Sequence, residues 1–371
     1  MNTIERSTSY NYKVEESKDY KKLTSPNANY IFDKKDGVTF SWGKTLREDP
    51  ECFPGPVIAD IEICTGCLGL KGDGKSVCPF CYKSNTPNDV KYMSFDTFKK
   101  LFDTLPKTLT QIAFGADATL QLNPDIWKIM EYSRENGVIP NVTLANVIND
   151  EIADNLAKYC GAVAISRYHI PDICYNSVKK LTDRGMKQVN IHYMISKETL
   201  KGAYETIDSA STDERLKGLN AIVFLSLKTK GRGEHGYTPL TQKEFTDLVN
   251  YAREKKVGVG FDSCSSLKAF HAYKGTVDEK DVGKYIEPCE SSLLSLYINV
   301  DGKYFPCSFT EGYKSNDLDW SEGLDVLGCN NSEEFLDTIW NNEKTKDFRK
   351  RLLESKGKNE FNCRTCPLYN I

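Results

Sequence analysis

The stretch CTGCLGLKGDGKSVCPFCYK, residues 64–83, carries four cysteines as two C-x2-C pairs, Cys64/Cys67 and Cys78/Cys81, with ten residues between the pairs. Thiolates at this spacing support two kinds of chemistry. Four of them close a tetrahedral zinc site. Three of them on a four-iron cubane leave one iron open to a small molecule, much as a catalytic zinc keeps a vacant position. A second set lies downstream: Cys289, twelve residues, Gly302, four residues, Cys307, and then Cys363-x2-Cys366 near the end of the chain. Four thiolates split between a hairpin and a tail suit a closed site, either zinc or a fully ligated iron–sulfur cluster. The third group is GFDSCSS at 260–266, where Asp262 can take a proton and Cys264 can donate a hydrogen atom. The plainer role there is a turn, with Asp262 or Ser263 capping a helix.

What positions these residues follows from the rest of the chain. Its 371 residues suffice for a barrel-sized domain and a smaller one, and a net charge of −3 argues against non-specific nucleic-acid or membrane-surface binding. MNTIERSTSYNYKVEESKDYKK has no apolar targeting core, and no stretch approaches the roughly 18 apolar residues of a membrane span. A cytoplasmic location is therefore expected. Thiols stay reduced there, so thirteen cysteines read as ligands rather than disulfides.

From residue 57 short apolar runs alternate with amphipathic segments, the pattern of repeated βα units. The runs are 57–63, 110–114, 141–146, 162–166, 188–195, 221–227 and 257–261. Between them, Ser94 is positioned to cap a helix with Phe95, Phe98, Leu101, Phe102 and Leu105 on one face. Pro171 and Gly185 bracket another helix. The expected fold is α/β: a partial TIM-type (β/α)6 barrel over 57–275, preceded by an extension (1–56) and followed by a small cysteine-rich α+β domain (276–371). Within the extension, DKKDG suggests one turn between two short strands. In the tail, Asp301-Gly302 marks a hairpin. Active sites of barrels form at the C-terminal ends of their strands, and the first cysteine loop directly follows the first strand. Cys160 and Cys174 fall in helical patterns and read as buried small hydrophobes. His192 is placed to point into the barrel.

So placed, the segment resembles the cluster loop of the radical S-adenosylmethionine (SAM) enzymes, whose last two cysteines are written C-x-aromatic-C, here CPFC with Phe80. The resemblance spans about residues 57–265. That family separates its first two cysteines by three residues, against ten here. Cys64 falls where the family has a Thr, so the resemblance implies Cys67, Cys78 and Cys81 as ligands of a 4Fe–4S cluster, with Cys64 the alternative first ligand. It also implies that Gly115, Ala116 and Asp117 replace a Gly-Gly-Glu turn holding the SAM amino group. Ser166 and Asn190, with Arg167 a weaker candidate, would meet the SAM ribose and carboxylate. Lys228 opens a K-x-x-G-R-G stretch beside the adenine.

The tail resembles the twitch domain, the short form of the SPASM domain, and this implies one auxiliary 4Fe–4S cluster on Cys289, Cys307, Cys363 and Cys366. The activity implied is that of a radical SAM oxidoreductase. It would cleave SAM to a 5′-deoxyadenosyl radical and abstract a hydrogen, with electrons from a flavodoxin or ferredoxin. The expected substrate is a ribosomally made peptide, oxidatively modified as by a crosslink; the alternative is dehydrogenation of a sugar-like small molecule. A reading of another class is a non-catalytic zinc-binding interaction protein, in which Cys64 is a ligand.

Overall fold

The computed structural model describes residues 1–369 other than 51, 89, 116–119, 121, 284 and 362. Five short strands come first: β1 (Asn2–Ser7), β2 (Tyr12–Glu16), β3 (Tyr20–Thr24), β4 (Asn29–Asp33) and β5 (Thr39–Trp42). They form one antiparallel sheet in the order β1-β2-β3-β4-β5. The β4–β5 pair and its turn at Gly37, with φ +72°, are the expected ones. The three earlier strands exceed the expectation. Their sequences are mostly polar, and within them only Tyr12, Val14 and Leu23 are buried apolar residues. The sheet seats on the barrel end opposite the cysteine loop. Buried Lys21 donates to the Leu109 carbonyl (2.6 Å), just before the second barrel strand, and Glu5 accepts from the Lys107 amide (2.8 Å).

The barrel strands are β6 (Ile58–Glu62), β7 (Gln111–Gly115), β8 (Ile139–Leu144), β9 (Ala162–Ser166), β10 (Val189–Ile195), β11 (Ala221–Ser226) and β12 (Val259–Phe261). All pair in parallel and in sequence order. Six helices cross between them: α1 (Phe95–Thr104), α2 (Ile126–Glu135), α3 (Asp150–Tyr159), α4 (Pro171–Asp183), α5 (Leu200–Thr212) and α6 (Gln242–Glu254); α7 (Ser266–Tyr273) follows β12. Ser94 caps α1 by accepting from the Thr97 amide, and Phe98, Leu101, Phe102 and Leu105 are buried as the helical period requires. Thr241 and Glu244 complete a capping box on α6.

The barrel is open. Next to β6 lies not β12 but β13 (Ser295–Ile298), parallel to β6, followed by β14 (Lys303–Phe305) in an antiparallel hairpin turned at Gly302. Residues after 294 thus extend the barrel sheet from its first strand. This brings both cysteine sets to the C-terminal ends of the strands. Below them, Trp340 is buried and donates to the Phe53 carbonyl (3.0 Å), pinning the C-terminal helical segment to the chain entering β6. Among the described residues no helix is long and apolar enough to cross a membrane.

Candidate functional site

The ten residues separating Cys67 from Cys78 fold back on themselves. Gly69, Gly72 and Gly74 all adopt positive φ, and the Leu70 amide donates to the Ser76 carbonyl (3.1 Å). Asp73 accepts from the Lys75 and Ser76 amides, both at 2.9 Å. A Cβ on Gly69 would lie 2.6 Å from Ser76 backbone, so only glycine permits this return. The insertion is therefore a compact excursion whose ends meet.

Its ends bring three sulfurs together. Burial pushes the Cys78 thiol up to about 12, with Cys81 and Cys67 adding like-charge repulsion and Arg232 opposing it. Tyr168 feels the same three cysteines. Cys64 is one residue past the buried Ile63 and is itself 2 % exposed, bridged to Tyr92 in a short antiparallel pairing. It lines the same cavity as the other three cysteines. The Cys67 sulfur accepts from the Gly69 amide (3.4 Å), an N–H···S contact of the kind that stabilises thiolate ligands.

The LKTKGRG stretch after β11 braces this loop from behind. The Arg232 amide donates to the Cys81 carbonyl (3.1 Å), its Nε to the Cys78 carbonyl (3.0 Å), and its Nη1 to the Asn85 carbonyl (3.2 Å). Gly231, at φ +59°, passes so close that a Cβ would meet the Cys81 carbonyl at 2.8 Å. Lys228, expected beside the SAM adenine, lies elsewhere. It is ion-paired to Asp262, sits 5.1 Å over the Phe309 ring and faces a second cavity.

The first cavity, about 380 Å³, is lined by Cys67, Cys78, Cys81, Gly115, Ser166 and His192 among others. Gly115 and Ser166 are the last residues of β7 and β9. The expected Ala116 and Asp117 lie outside the described residues. Phe80 closes one wall with Tyr168 (centroids 4.9 Å) and Tyr237 (5.6 Å). Asn190 is not at the cavity. It is the second residue of β10, where its Oδ1 accepts from Asn220 (2.9 Å), two residues below the cavity-lining His192. His192, on the same strand, takes the cavity position; burial lowers its pKa to about 4, so it is neutral at pH 7. Arg167 turns away toward Tyr193 and Glu205.

Several residues here were missed by the sequence reading. Asp60 of β6 opens onto the hollow, and the surrounding barrel wall, by shielding it from bulk water, raises its pKa to about 6. Lys83 meets Glu62 (3.0 Å), the Tyr297 hydroxyl (2.9 Å) and Glu311. Burial lowers the Lys83 pKa, but the two carboxylates outweigh it and the net shift is upward. Alternate positions of VIADIEI were the available signal, since inward-facing carboxylates in a barrel strand are costly unless used.

The second cavity, about 140 Å³, is lined by Asp262, Cys264, Cys289, Glu290, Cys307 and Cys366 with their neighbours. Asp60 and Ser308 line both cavities. Tyr82 on the first side packs against Phe309 on the second, with centroids 4.5 Å apart. Cys363, expected as the fourth auxiliary ligand, is not in this lining. Cys160 and Cys174 are buried, as expected of core thiols. Among the described residues no three His, Cys, Asp or Glu side chains are gathered as the ligands of a single metal ion.

Residues 289–367 match the SPASM family, described as an iron–sulfur cluster-binding domain. No curated protein matches the chain in sequence. Among solved structures, Streptococcus suis SuiB bound to the precursor peptide SuiA superposes with a TM-score of 0.68 at 14% identity, covering 96% of this chain and 100% of that one. SuiB bound to S-adenosylmethionine gives 0.65 at 13% identity, covering 96% and 99%. The chain therefore has the fold of SuiB along almost its whole length, and its tail carries the SPASM signature that the cysteine spacing had suggested.

Proposed function

We propose that the chain is a radical SAM enzyme that modifies a ribosomally made peptide, with Cys67, Cys78 and Cys81 holding a four-iron cluster beside the strand ends. The observation that carries this reading is the first cavity, where Cys67, Cys78 and Cys81, with Cys64 beside them, and the ends of parallel strands face one hollow. When bound, such a cluster supplies the electron that cleaves SAM reductively to a 5′-deoxyadenosyl radical, the chemistry of the family the loop resembles.

The chain's own residues arrange the rest. Gly115, Ser166 and neutral His192 line this cavity, and the last two would offer hydrogen bonds to the polar groups of SAM. The Phe80–Tyr168–Tyr237 wall excludes water. Asp60, titrating near 6 with no ion-pair partner among the described residues, suits the role of proton acceptor when a substrate radical is oxidised. Asp262, tied to Lys228, instead holds fixed charge beside the second cavity.

The peptide assignment draws support from the likeness to SuiB with its bound precursor peptide. It also draws on a groove of about 570 Å³ between the cluster loop and the Asn299–Asp301 turn. This groove shares Glu62, Lys83 and Asn85 with the first cavity, and its polar walls suit a peptide main chain. For an oxidative outcome such as a crosslink, an auxiliary cluster held in the second cavity would supply an electron acceptor, and Asp60 and Ser308 form the wall that the two cavities share. The reading implies a reducing cytoplasmic setting and a flavodoxin- or ferredoxin-class donor.

The test is anaerobic incubation of the iron-loaded chain with SAM and dithionite. The expected result is 5′-deoxyadenosine, absent with Cys67→Ala, and a loss of about two mass units when a cysteine- or aromatic-rich precursor peptide is added. Iron-loaded protein that leaves SAM intact would refute the reading.

A further inference from the structure

We propose that the auxiliary cluster takes its fourth thiolate from Cys264 at the barrel mouth, alongside Cys289, Cys307 and Cys366, and that Cys363 is a structural thiol. This rests on the cluster reading of the tail given above. The second cavity carries four cysteines in its lining, and these are the four. Cys264 lies within electrostatic reach of Cys289 and Cys307, and Cys289 within reach of Cys307 and Cys366. The groups that act on Cys363 are instead Ser266, Arg364 and Glu287.

The direction of the hydrogen bonds at sulfur separates the cysteines in the same way. Ligand sulfurs accept from backbone N–H groups, whereas protonated structural thiols donate to carbonyls. The Cys366 sulfur accepts from the Leu368 and Tyr369 amides, both at 3.4 Å. Cys307 accepts from the Phe309 and Thr310 amides; Cys289 accepts from the Ser291 amide, and its own thiol meets the Ser291 hydroxyl (3.5 Å) rather than a carbonyl. Cys363 behaves oppositely. Its thiol donates to the Arg364 carbonyl (3.4 Å) and meets the Ser266 hydroxyl of α7 (3.4 Å). The core thiols of Cys52 and Cys174 likewise donate to carbonyls.

The tail backbone holds Cys363 in that place. Asn359 accepts from the Cys363 amide (3.0 Å) and donates to its carbonyl (2.7 Å), while Arg364 donates to the Cys289 carbonyl (2.7 Å) and to Glu287 (2.8 Å). With that strap fixed, Cys366 faces the cavity and Cys363 faces α7.

Cys264 is equally determined from its own side. It occupies the single helical turn Ser263–Ser265 after β12, anchored by Ser265 to Ser226 (2.7 Å) and to Asp262. The Lys228 ammonium, paired to Asp262, lies near both Cys264 and Cys366 and offsets the charge that two thiolates bring. A ligand from this turn fastens the auxiliary cluster to the barrel itself, on the wall of Asp60 and Ser308 shared with the first cavity.

The experiment uses the full chain with Cys67, Cys78 and Cys81 all changed to Ala, so that only the auxiliary cluster is counted. Into it are placed Cys264→Ala, Cys264→Ser and Cys363→Ala, each checked for native circular dichroism. Iron, sulfide and the EPR spectrum of the reduced protein are measured after reconstitution. The expected parent holds about four irons per chain. Cys363→Ala keeps them with an unchanged spectrum, Cys264→Ala loses at least half, and Cys264→Ser keeps iron with altered g-values. Loss in Cys363→Ala, or an unchanged spectrum in both Cys264 variants, overturns the assignment. A parent with neither iron nor sulfide overturns the cluster reading itself.

Discussion

The two cysteine cavities stand back to back across Asp60 and Ser308, yet they are built on different plans. The first brings three grouped sulfurs from one loop and completes its wall with strand ends, leaving room for a ligand. The second gathers sulfurs from the barrel, a hairpin and the tail around a hollow less than half as large. A site meant to react keeps an open position, and a site meant to relay charge is closed by its ligands. The difference teaches that neither cysteine count nor spacing sets the role of a cluster. What surrounds the sulfurs does.

The sharpest way to break this comparison is to remove sulfurs one at a time from the first loop. Cys67→Ala, Cys78→Ala or Cys81→Ala should each lower SAM cleavage by at least ~100-fold, measured as 5′-deoxyadenosine formed. Cys64→Ala should keep cleavage within ~3-fold and cost about 1–2 kcal/mol in a denaturation curve, the usual price of a small core truncation. Equal damage at Cys64 and Cys67 would favour a four-thiolate zinc knuckle.

Next in size is the ion pair beside the second cavity. Lys228→Ala leaves Asp262 as an uncompensated, largely buried charge and should cost about 3–5 kcal/mol, with Lys228→Met plus Asp262→Asn restoring most of it. Denaturant midpoints of the single and double variants decide this. Gly231→Ala tests the brace behind the first loop. Its φ of +59° and the nearby Cys81 carbonyl predict a loss of about 1–3 kcal/mol, read as lower iron retention at the first site with the auxiliary EPR signal intact. Equal loss at both sites would mean that the brace serves the whole barrel.

The smallest effect is on pH dependence, where the two cavity groups act in opposite directions. Asp60 has a folded pKa of about 6, above its unfolded 3.8, so its contribution is present below about pH 4 and is lost as pH rises through 6. His192 has a folded pKa of about 4, below its unfolded 6.5, so stability is lost as pH falls from about 6.5 toward 4. Asp60→Asn should therefore remove a decline on raising the pH, and His192→Asn a decline on lowering it. Urea midpoints between pH 4 and 7 would show the two variants tilting the curve in opposite senses.

Much of this molecule was legible from its residues, because apolar periodicity and helix caps are local. The seven barrel strands and the α1 face follow from such signals. The cysteine loop drew the cluster reading from its spacing, since few other patterns place three cysteines after a first strand. The N-terminal sheet was half hidden: its strands are short and polar, and only cross-strand pairing reveals β1 to β3. Asn190 was misplaced because a strand's inward face is visible in sequence, but the height of a residue along it is not. His192 shares that face and sits two residues nearer the mouth. Lys228 was drawn to the adenine by its motif, yet the nearby carboxylate of Asp262 holds it at the other cavity. Cys264 and Cys363 could not be told apart by spacing, since which side of a tail faces a cavity depends on distant straps such as Asn359 and Arg364.

The central claim is that the opening loop holds one cluster and the tail another. Iron and sulfide content after anaerobic reconstitution tests it most directly, comparing the wild type with the Cys67/Cys78/Cys81→Ala variant. About eight irons per chain falling to about four, with matching sulfide, is the predicted result. Bound zinc without sulfide, unchanged in kind by the triple substitution, would contradict it.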